Sequence, residues 1–443
     1  MDLDANQRLA VDMCVDMQKR LVAITGEAGT GKTTIIKQTC EALEAEEITF
    51  ALAAPTGKAA RRIREATGYP AQTIHKLLEF NRPEMDEETG EAKSVSTPTR
   101  CKAHPLEVDV VIVDEYAMVP TGLHRDLVSA LGYAKLRVFG DVRQLPPIEN
   151  SELADPTSPF QRCLAMPNTI TLNAIYRQAE GNGIIEAARR INSGQFFTSN
   201  GDVRVRLGDA VLATLYGMLD AGDTDWRSLE NQIISPARKS DIGTMRLNGI
   251  LQTRFNKEML NRTQLPRNKW EQKNPVFVAV GDKVVCTSNS YDLRDYSERF
   301  MEYVDGIGVT NTFIPCPETK QMLNGEVGVI NSIDELGVLE IDFGDRVVEL
   351  PSVVAEYSPK KDLHFTYDPR KVIDLAYALT THKCQGSQYN NVAYVMASCA
   401  FFNLSRPNFY TGLTRAVKHA DVVTDQRSFA TSLKSMGWKR KTK

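Results

Sequence analysis

The sequence predicts an α/β protein of at least two domains. Strand-length apolar runs at 21–25, 49–53, 110–113 and 136–139 alternate with stretches that have helical periodicity. A glycine-rich turn joins the first run to a helix predicted over 34–43, which is the start of a βα unit. The chain of 443 residues also exceeds the size at which a single hydrophobic core stops growing.

Composition excludes several classes of protein. With 42% apolar and 25% charged residues, the chain has the composition of a soluble globular protein, and its apolar runs are too short to cross a bilayer. The net charge of -3 argues against binding nucleic acid with the whole surface but allows a local basic groove. Met1 is followed by acidic and polar residues, so we expect no secretory signal, no membrane partner and a cytoplasmic location.

The eight cysteines lie far apart, without a Cys-x-x-Cys pair or a nearby Cys/His cluster. This spacing argues against a zinc site. Free thiols in a reducing compartment are the expected state.

The segment from Gly26 to Thr33, GEAGTGKT, fits the pattern G-x-x-x-x-G-K-[ST] in full. Its glycines let backbone N–H groups close around phosphates, and the following helix N-terminus adds partial positive charge. Lys32 is expected to reach the outer phosphates and the Thr33 hydroxyl to bind magnesium. The alternative is a chance glycine-rich turn. The predicted nucleotide-binding residues of this segment are Gly26, Gly29, Thr30, Gly31, Lys32, Thr33 and Thr34.

Two later strand ends carry polar side chains that suit the same site. Asp114 follows the run 110–113 and is placed to anchor magnesium, and Glu115 is placed to accept a proton from an attacking water. Gln144 follows the run 136–139 and could hydrogen-bond a terminal phosphate as a sensor. Solvated strand ends and a proline-terminated loop are the alternatives.

With these motifs and the ones that follow, the sequence resembles superfamily 1 helicases, particularly the RecD/Dda branch, and its length resembles that of compact phage members. Leu3-x-x-x-Gln7 fits the family's adenine-reading amide, and Gln388 departs from the glutamate that often follows Gln-Gly-Ser. The ordered motifs lie at 26–33, 54–60, 73–78, 114–118, 140–147, 176–178, 376–387 and 410–416.

The resemblance implies two RecA-like P-loop motor domains, with a small pin insertion in the first and an SH3-like β-barrel insertion in the second. A solvated loop is the alternative to the pin, in which Phe80 and Met85 are the sizeable apolar residues, and residues 291–313 are expected to be an excursion from the barrel. The predicted ranges are 1–163 for the first motor domain, 79–108 for the pin, 164–275 and 366–443 for the second motor domain, and 276–365 for the barrel.

The resemblance also implies the activity: an ATP-dependent DNA helicase that uses Mg²⁺, moves 5′→3′ on single-stranded DNA as a monomer and unwinds forked duplex. Replication and single-strand-binding proteins are candidate partners. Arg177 and Arg415 would reach the γ-phosphate across a cleft. A translocase that unwinds weakly and a nucleotide-gated subunit without turnover are the alternatives. The implied DNA contacts are Pro55, Thr56, Lys58, Thr73, His75, Thr380, His382, Lys383 and Ser387.

Overall fold

The computed structural model describes most of the chain. The described residues are 3–27, 29–80, 97–147, 157–172, 182–259, 261–266, 275–288, 294–304, 308–315, 322–358 and 363–437.

The first domain is a six-stranded parallel sheet flanked by helices. The strand order is β3-β2-β4-β5-β1-β6. The strands are β1 (Leu21–Gly26), β2 (Phe50–Ala54), β3 (Ala71–Thr73), β4 (Val110–Val113), β5 (Lys135–Gly140) and β6 (Thr169–Leu172). The helices are α1 (Ala5–Val15), α2 (Lys32–Ala45), α3 (Gly57–Thr67), α4 (Ile74–Leu77), α5 (Thr121–Ala130) and α6 (Pro159–Leu164).

Burial on both faces explains why the strands of this sheet are continuously apolar. In β4, all four residues of Val110–Val113 are buried, because helices cover the two faces of the parallel sheet. The predicted strands and the helix over 34–43 are confirmed, each within two residues at either end. Their carboxyl ends meet at one edge of the sheet, where ligands bind in open α/β folds.

The rest of the chain forms a second parallel sheet and an antiparallel region inserted into it. The helices are α7 (Gly183–Asn192), α8 (Val211–Asp220), α9 (Thr244–Phe255), α10 (Arg406–Leu413) and α11 (Gln426–Lys434). The strands are β7 (Val203–Leu207), β8 (Asn231–Ser235), β9 (Thr263–Gln264), β10 (Phe277–Val278), β11 (Lys283–Cys286), β12 (Arg294–Val304), β13 (Gly308–Pro315), β14 (Val327–Ile333), β15 (Leu339–Asp342), β16 (Val347–Leu350), β17 (Val354–Ser358), β18 (Leu363–Tyr367), β19 (Ile373–Leu375), β20 (Ala378–Thr380), β21 (Tyr389–Met396) and β22 (Ala416–Thr424).

The second domain is built on the parallel sheet β20-β8-β21-β22-β7. Between β8 and β20 the chain leaves this sheet and forms the insertion, whose main sheet is antiparallel with the order β16-β15-β14-β11-β19. One hydrophobic core joins the insertion to the second domain, since Ile330 and Leu339 belong to the same buried cluster as Ile233 and Leu251. The insertion therefore packs as part of that domain.

Two predicted boundaries differ from the strand pairing. β6 pairs with β1, so the first sheet extends to residue 172, beyond the predicted end at 163. β19 pairs with β11, so the insertion sheet extends to residue 375, beyond the predicted end at 365. In both cases the pairing partner is more than 80 residues distant in sequence, so local pattern carries no signal of it.

The two predicted excursions have different outcomes. Within 291–313, β12 and β13 pair as an antiparallel hairpin, although the sequence there has no clear strand periodicity. Most of the predicted pin, including Met85, lies in residues 81–96, outside the described residues. Phe80 is partly buried against the core of the first domain. Among the described helices none is long and apolar enough to span a membrane.

Candidate functional site

The glycine-rich loop connects β1 to α2, and hydrogen bonds between its own residues hold it. The Lys32 ammonium donates hydrogen bonds to the carbonyl oxygens of Gly26, at 2.7 Å, and Glu27, at 2.9 Å. A Cβ on Gly26 would lie 2.4 Å from Thr30 Oγ1, so a larger residue would displace that side chain. Gly31 has a φ of +83°, in the left-handed region that favours glycine. The loop therefore has the backbone geometry that lets amides surround a phosphate at a helix N-terminus.

Gln7 supports this loop from α1. Its amide Nε2 donates to the Thr30 carbonyl at 3.3 Å, and its Oε1 accepts from the Asp4 backbone N–H at 3.1 Å in a helix capping box. The Thr30 hydroxyl donates to the Glu27 carbonyl at 2.9 Å. Nucleotide contacts stay predictions for the whole set of Gln7, Gly26, Gly29, Thr30, Gly31, Lys32, Thr33 and Thr34.

Asp114 and Glu115 follow β4, at the same sheet edge as the loop. Burial and the neighbouring Glu115 carboxylate raise the pKa of Asp114 to about 6, although the Lys32 ammonium acts in the opposite direction. Glu115 has a φ of +52°, a left-handed conformation that costs a non-glycine residue about 1–3 kcal/mol. Its Oε2 is buried without a hydrogen-bond partner among the described residues. Backbone strain and an unsatisfied carboxylate oxygen both indicate a functional position.

The loop after β5 carries Gln144 and contacts the second domain. The Gln144 Oε1 atom is buried and has no hydrogen-bond partner in the described part of the chain. The Tyr410 hydroxyl donates to Asp141 Oδ2 at 2.7 Å, and the Leu145 N–H donates to Thr411 Oγ1 at 2.9 Å. Residues 410 and 411 belong to α10, so hydrogen bonds join this loop of the first domain to the second domain.

A pocket opens beside the glycine-rich loop. Glu27 and Arg143, which form an ion pair, line it from the first domain, and the exposed Arg189 of α7 lines it from the second. Arg189 belongs to none of the motifs, so sequence reasoning missed it. Its position beside the glycine-rich loop depends on how the second domain lies against the first.

Arg415 lies two residues after the end of α10 and is held inside the second domain. It is 2% exposed, and its guanidinium donates to the carbonyls of Thr411, at 3.0 Å, and Ser387, at 3.2 Å, and to Thr414 Oγ1 at 3.3 Å. The same Thr411 accepts from the first domain through its hydroxyl. Arg177 lies outside the described residues. Contact of Arg177 or Arg415 with a phosphate stays a prediction.

The predicted DNA contacts of the first domain lie at the starts of α3 and α4. Thr56 and Thr73 cap these helices by accepting backbone N–H bonds of 3.2 and 3.1 Å through their hydroxyl oxygens. A hydroxyl that accepts such a bond retains its own O–H donor for a phosphate. His75 is exposed, with its ring 4.9 Å from that of Phe80, and Pro55 is partly exposed.

Lys58 lies between the two domains. Its ammonium is 5.3 Å from the centroid of the Tyr389 ring, and burial lowers its pKa. Close by, a Cβ on Gly386 would lie 3.4 Å from the Ala59 Cβ. The start of α3 therefore contacts the segment after β20. In this conformation Lys58 packs against the second domain, whereas the sequence predicted that it binds DNA phosphate.

The predicted DNA contacts of the second domain follow β20. Thr380 Oγ1 accepts from the Lys383 N–H at 3.3 Å, and His382 is half-buried, which lowers its pKa. Ser387 is only 1% exposed, so in this conformation its side chain does not reach the surface. Contact with DNA stays a prediction for all four residues.

A groove runs between the second domain and the insertion. Thr380 and Lys383 line it, together with three arginines that sequence reasoning missed: Arg238, Arg246 and Arg262. One signal was available, because Arg238 comes shortly after β8, at the sheet edge where ligands bind.

The insertion also forms ion pairs with the first domain. Arg61 of α3 pairs with Glu326 at 3.3 Å and with Asp345 at 2.6 Å, and Arg346 pairs with the same two acids at 2.5 and 3.0 Å. We call these four residues the charged bridge. It connects the helix that begins with the predicted DNA contacts to a module inserted in the other domain.

The residues beside the glycine-rich loop fit a magnesium ion. Thr33, the second residue of α2, offers a hydroxyl oxygen and Asp114 a carboxylate, which are the hard oxygen ligands that Mg²⁺ prefers. Asp114 is also close enough to Lys32 for the ammonium to oppose the rise in the pKa of Asp114. The fold and this site together define a P-loop nucleotide-binding protein with two RecA-like domains.

Comparison with known families and proteins agrees with this class. Residues 2–202 match the AAA domain family, and residues 375–423 match the UvrD-like helicase C-terminal domain family. The ATP-dependent RecD2 DNA helicase of Deinococcus radiodurans is 30% identical over 408 residues, which are 90% of this chain and 46% of that protein. The ATP-dependent DNA helicase dda of Enterobacteria phage T4 is 33% identical over 165 residues, 36% of each chain.

Solved structures show the same fold at lower sequence identity. The crystal structure of Pif1 helicase from Bacteroides in complex with ADP-AlF3 and ssDNA has a TM-score of 0.59 and 18% identity, covering 99% of this chain and 95% of that one. The chain is thus similar in sequence to superfamily 1 helicases of RecD type, and its fold is that of the Pif1 structure. It spans less than half the length of the RecD2 protein that it matches.

Arg189→Ala is expected to raise the KM for ATP about threefold with little change in kcat, since an exposed charge contributes weakly to binding. The measurement is steady-state phosphate release across ATP concentrations. Arg190→Ala is the matched control, because Arg190 is exposed on the same helix but does not line the pocket. Equal KM values for the two variants would remove Arg189 from the site.

Proposed function

We propose that this chain is an ATP-dependent DNA helicase, which moves along single-stranded DNA and unwinds duplex. One observation carries the proposal: the predicted ATP-binding loop and the predicted DNA-binding segments of both domains border the same interdomain cleft. The close approach of Gly386 to Ala59 supports the proposal, because it brings the two predicted DNA-binding segments next to each other. The bonds from α10 to the loop of Gln144 connect the second domain to the nucleotide end.

In the proposed reaction, ATP binds in the glycine-rich loop with its outer phosphates on Lys32, and water attacks the γ-phosphate. Glu115 accepts the proton of that water, because its buried Oε2 has no other described partner. Gln144 hydrogen-bonds the terminal phosphate. Arg177 and Arg415 contribute positive charge from the second domain as charge is redistributed. Mg²⁺, held by Thr33 and Asp114, would neutralise phosphate charge when bound.

Movement would follow from the cleft closing on ATP and opening after hydrolysis. If γ-phosphate contacts favour the closed state, each turnover alternates two domain arrangements. Hydroxyls and cations that bind phosphate without reading bases suit a strand that must slide. The proposed strand contacts are Pro55, Thr56, Lys58, Thr73, His75, Thr380, His382, Lys383 and Ser387.

We further propose 5′→3′ movement as a monomer, on forked DNA in the cytoplasm, where replication and single-strand-binding proteins are candidate partners. The resemblance to the RecD/Dda branch supports the polarity. Residues 79–108 are proposed as the pin and the insertion as an SH3-like barrel. The proposed motor-domain layout is that of 1–163, 164–275 and 366–443, changed so that β6 belongs to the first domain and β19 to the insertion sheet.

A comparison of tailed duplexes tests this function. With ATP and Mg²⁺, a 5′-tailed duplex should be unwound and a matched 3′-tailed duplex should not, while single-stranded DNA should stimulate phosphate release. Unwinding from the 3′ tail alone would reverse the polarity. Absence of any DNA-stimulated phosphate release would contradict the helicase proposal itself.

One observation favours a second candidate, a translocase that displaces proteins but separates strands weakly. Phe80, the described one of the two apolar residues named for the pin, is partly buried against the core and is therefore a poor wedge for base pairs. This candidate predicts strong DNA-stimulated ATPase with little unwinding. Measuring both rates on the same forked substrate separates the two functions.

A further inference from the structure

The loop after β5 is held by the second domain at three points. The Tyr410 hydroxyl donates to Asp141 Oδ2 at 2.7 Å. The Leu145 N–H donates to Thr411 Oγ1 at 2.9 Å, and Gln385 Nε2 donates to the Leu145 carbonyl at 3.0 Å. We call these three bonds the clasp. Both backbone groups of Leu145 thus have partners from the opposite domain.

The clasp is dry. Tyr410 and Asp141 are each 1% exposed, Thr411 is 0% and Gln385 6% exposed. A hydrogen bond to a buried carboxylate is stronger than one between neutral groups, and leaving such a carboxylate without its donor is costly. Tyr410 therefore contributes the strongest of the three bonds. It is also the one at the start of the loop, where Asp141 lines the pocket beside the glycine-rich loop.

The clasp connects the two groups that are proposed to meet the terminal phosphate from opposite sides. On the first domain, the clasped loop carries Gln144, whose buried Oε1 has no described partner. On the second domain, Thr411 holds Arg415, because the Thr411 carbonyl accepts from Arg415 Nε at 3.0 Å while its hydroxyl accepts from Leu145. One residue of α10 thus joins the loop of the sensor to the arginine.

We propose that Tyr410 is a positioning residue, whose bond to Asp141 across the cleft fixes the loop of Gln144 relative to α10 and Arg415. The inference deepens the proposed function and rests on it. Tyr410 aligns the two groups without itself contacting the nucleotide. Its loss affects turnover, which needs both sides aligned, more than ATP binding, which depends on the glycine-rich loop of the first domain.

Tyr410→Phe tests this, because it removes one hydroxyl and keeps the ring. Tyr394→Phe is the matched control: Tyr394 is also buried in the second domain, but its hydroxyl donates to Asn408 at 3.0 Å within that domain. We expect Tyr410→Phe to lower DNA-stimulated kcat about tenfold with the KM for ATP nearly unchanged. The control should retain kcat within about twofold, at a similar melting temperature.

Amide hydrogen exchange gives a second readout that does not depend on turnover. In the full chain without nucleotide, Tyr410→Phe should speed exchange of the Leu145 amide, whereas the control should not. Equal kcat and equal exchange in the two variants would overturn the positioning role. A parent chain without ATPase would contradict the proposed function instead, and the exchange comparison would still decide whether Tyr410 positions the loop.

Discussion

Lys32→Ala should lower DNA-stimulated ATPase by about 100-fold or more, while single-stranded DNA still binds. The ammonium is expected to hold the outer phosphates, and such preorganised charge is among the largest contributions to phosphoryl transfer. Its hydrogen bonds to Gly26 and Glu27 show that it already lies over the loop. Phosphate release at saturating DNA measures the loss, and fluorescence anisotropy of a labelled oligonucleotide measures binding.

Lys37→Ala is the control for that experiment. Lys37 lies on the same helix, α2, but is exposed and its nearest described ion-pair partner is Glu41 at 4.0 Å, a weak surface contact. Its ATPase should equal that of the parent. If Lys32→Ala retained parental activity, the nucleotide site would have to lie elsewhere; if it lost DNA binding as well, misfolding would be the simpler reading.

Glu115→Gln should bind ATP with near-normal affinity and hydrolyse it about 100-fold or more slowly, because removing a general base costs about that factor. The glutamine keeps the size of the side chain, so the left-handed backbone at this position is not newly strained. Single-turnover hydrolysis beside equilibrium binding of a fluorescent ATP analogue separates the two effects.

Glu107→Gln is the control. Glu107 is an exposed acid shortly before β4, the strand that precedes Glu115, and it pairs with Arg100 at 2.9 Å. It should behave as the parent. A Glu115→Gln variant that hydrolyses ATP at the parental rate would assign the base to another group. A variant that cannot bind ATP would show that Glu115 acts in binding.

The nucleotide end of the site could be predicted from sequence because its information is local. Lys32 lies in a contiguous motif between a strand and a helix, and Asp114 and Glu115 directly follow an apolar run. The parallel sheet then brings these strand ends to one edge, as such sheets do. What sequence did not reveal is the left-handed backbone of Glu115, since glutamate is not a residue that favours it.

Features that depend on distant parts of the chain were missed. Arg189 and the groove arginines belong to no motif, and which surface each of them lines depends on how distant elements pack. The β12–β13 hairpin carries no clear alternation of apolar and polar residues, so pairing, rather than pattern, defines it. DNA binding by Lys58 stays a prediction from its motif; its position against Tyr389 depends on the approach of the two domains and has no local signal.

The charged bridge sets a condition on any opening of the cleft. The insertion is threaded into the second domain and shares its core, yet Glu326 and Asp345 hold an arginine of the first domain. A rotation that separates the two domains must therefore either break these ion pairs or deform the apolar contact between the insertion and the second domain. Salt weakens ion pairs but not apolar contacts. Ionic strength should therefore decide whether opening separates the charged bridge or moves the insertion relative to the second domain.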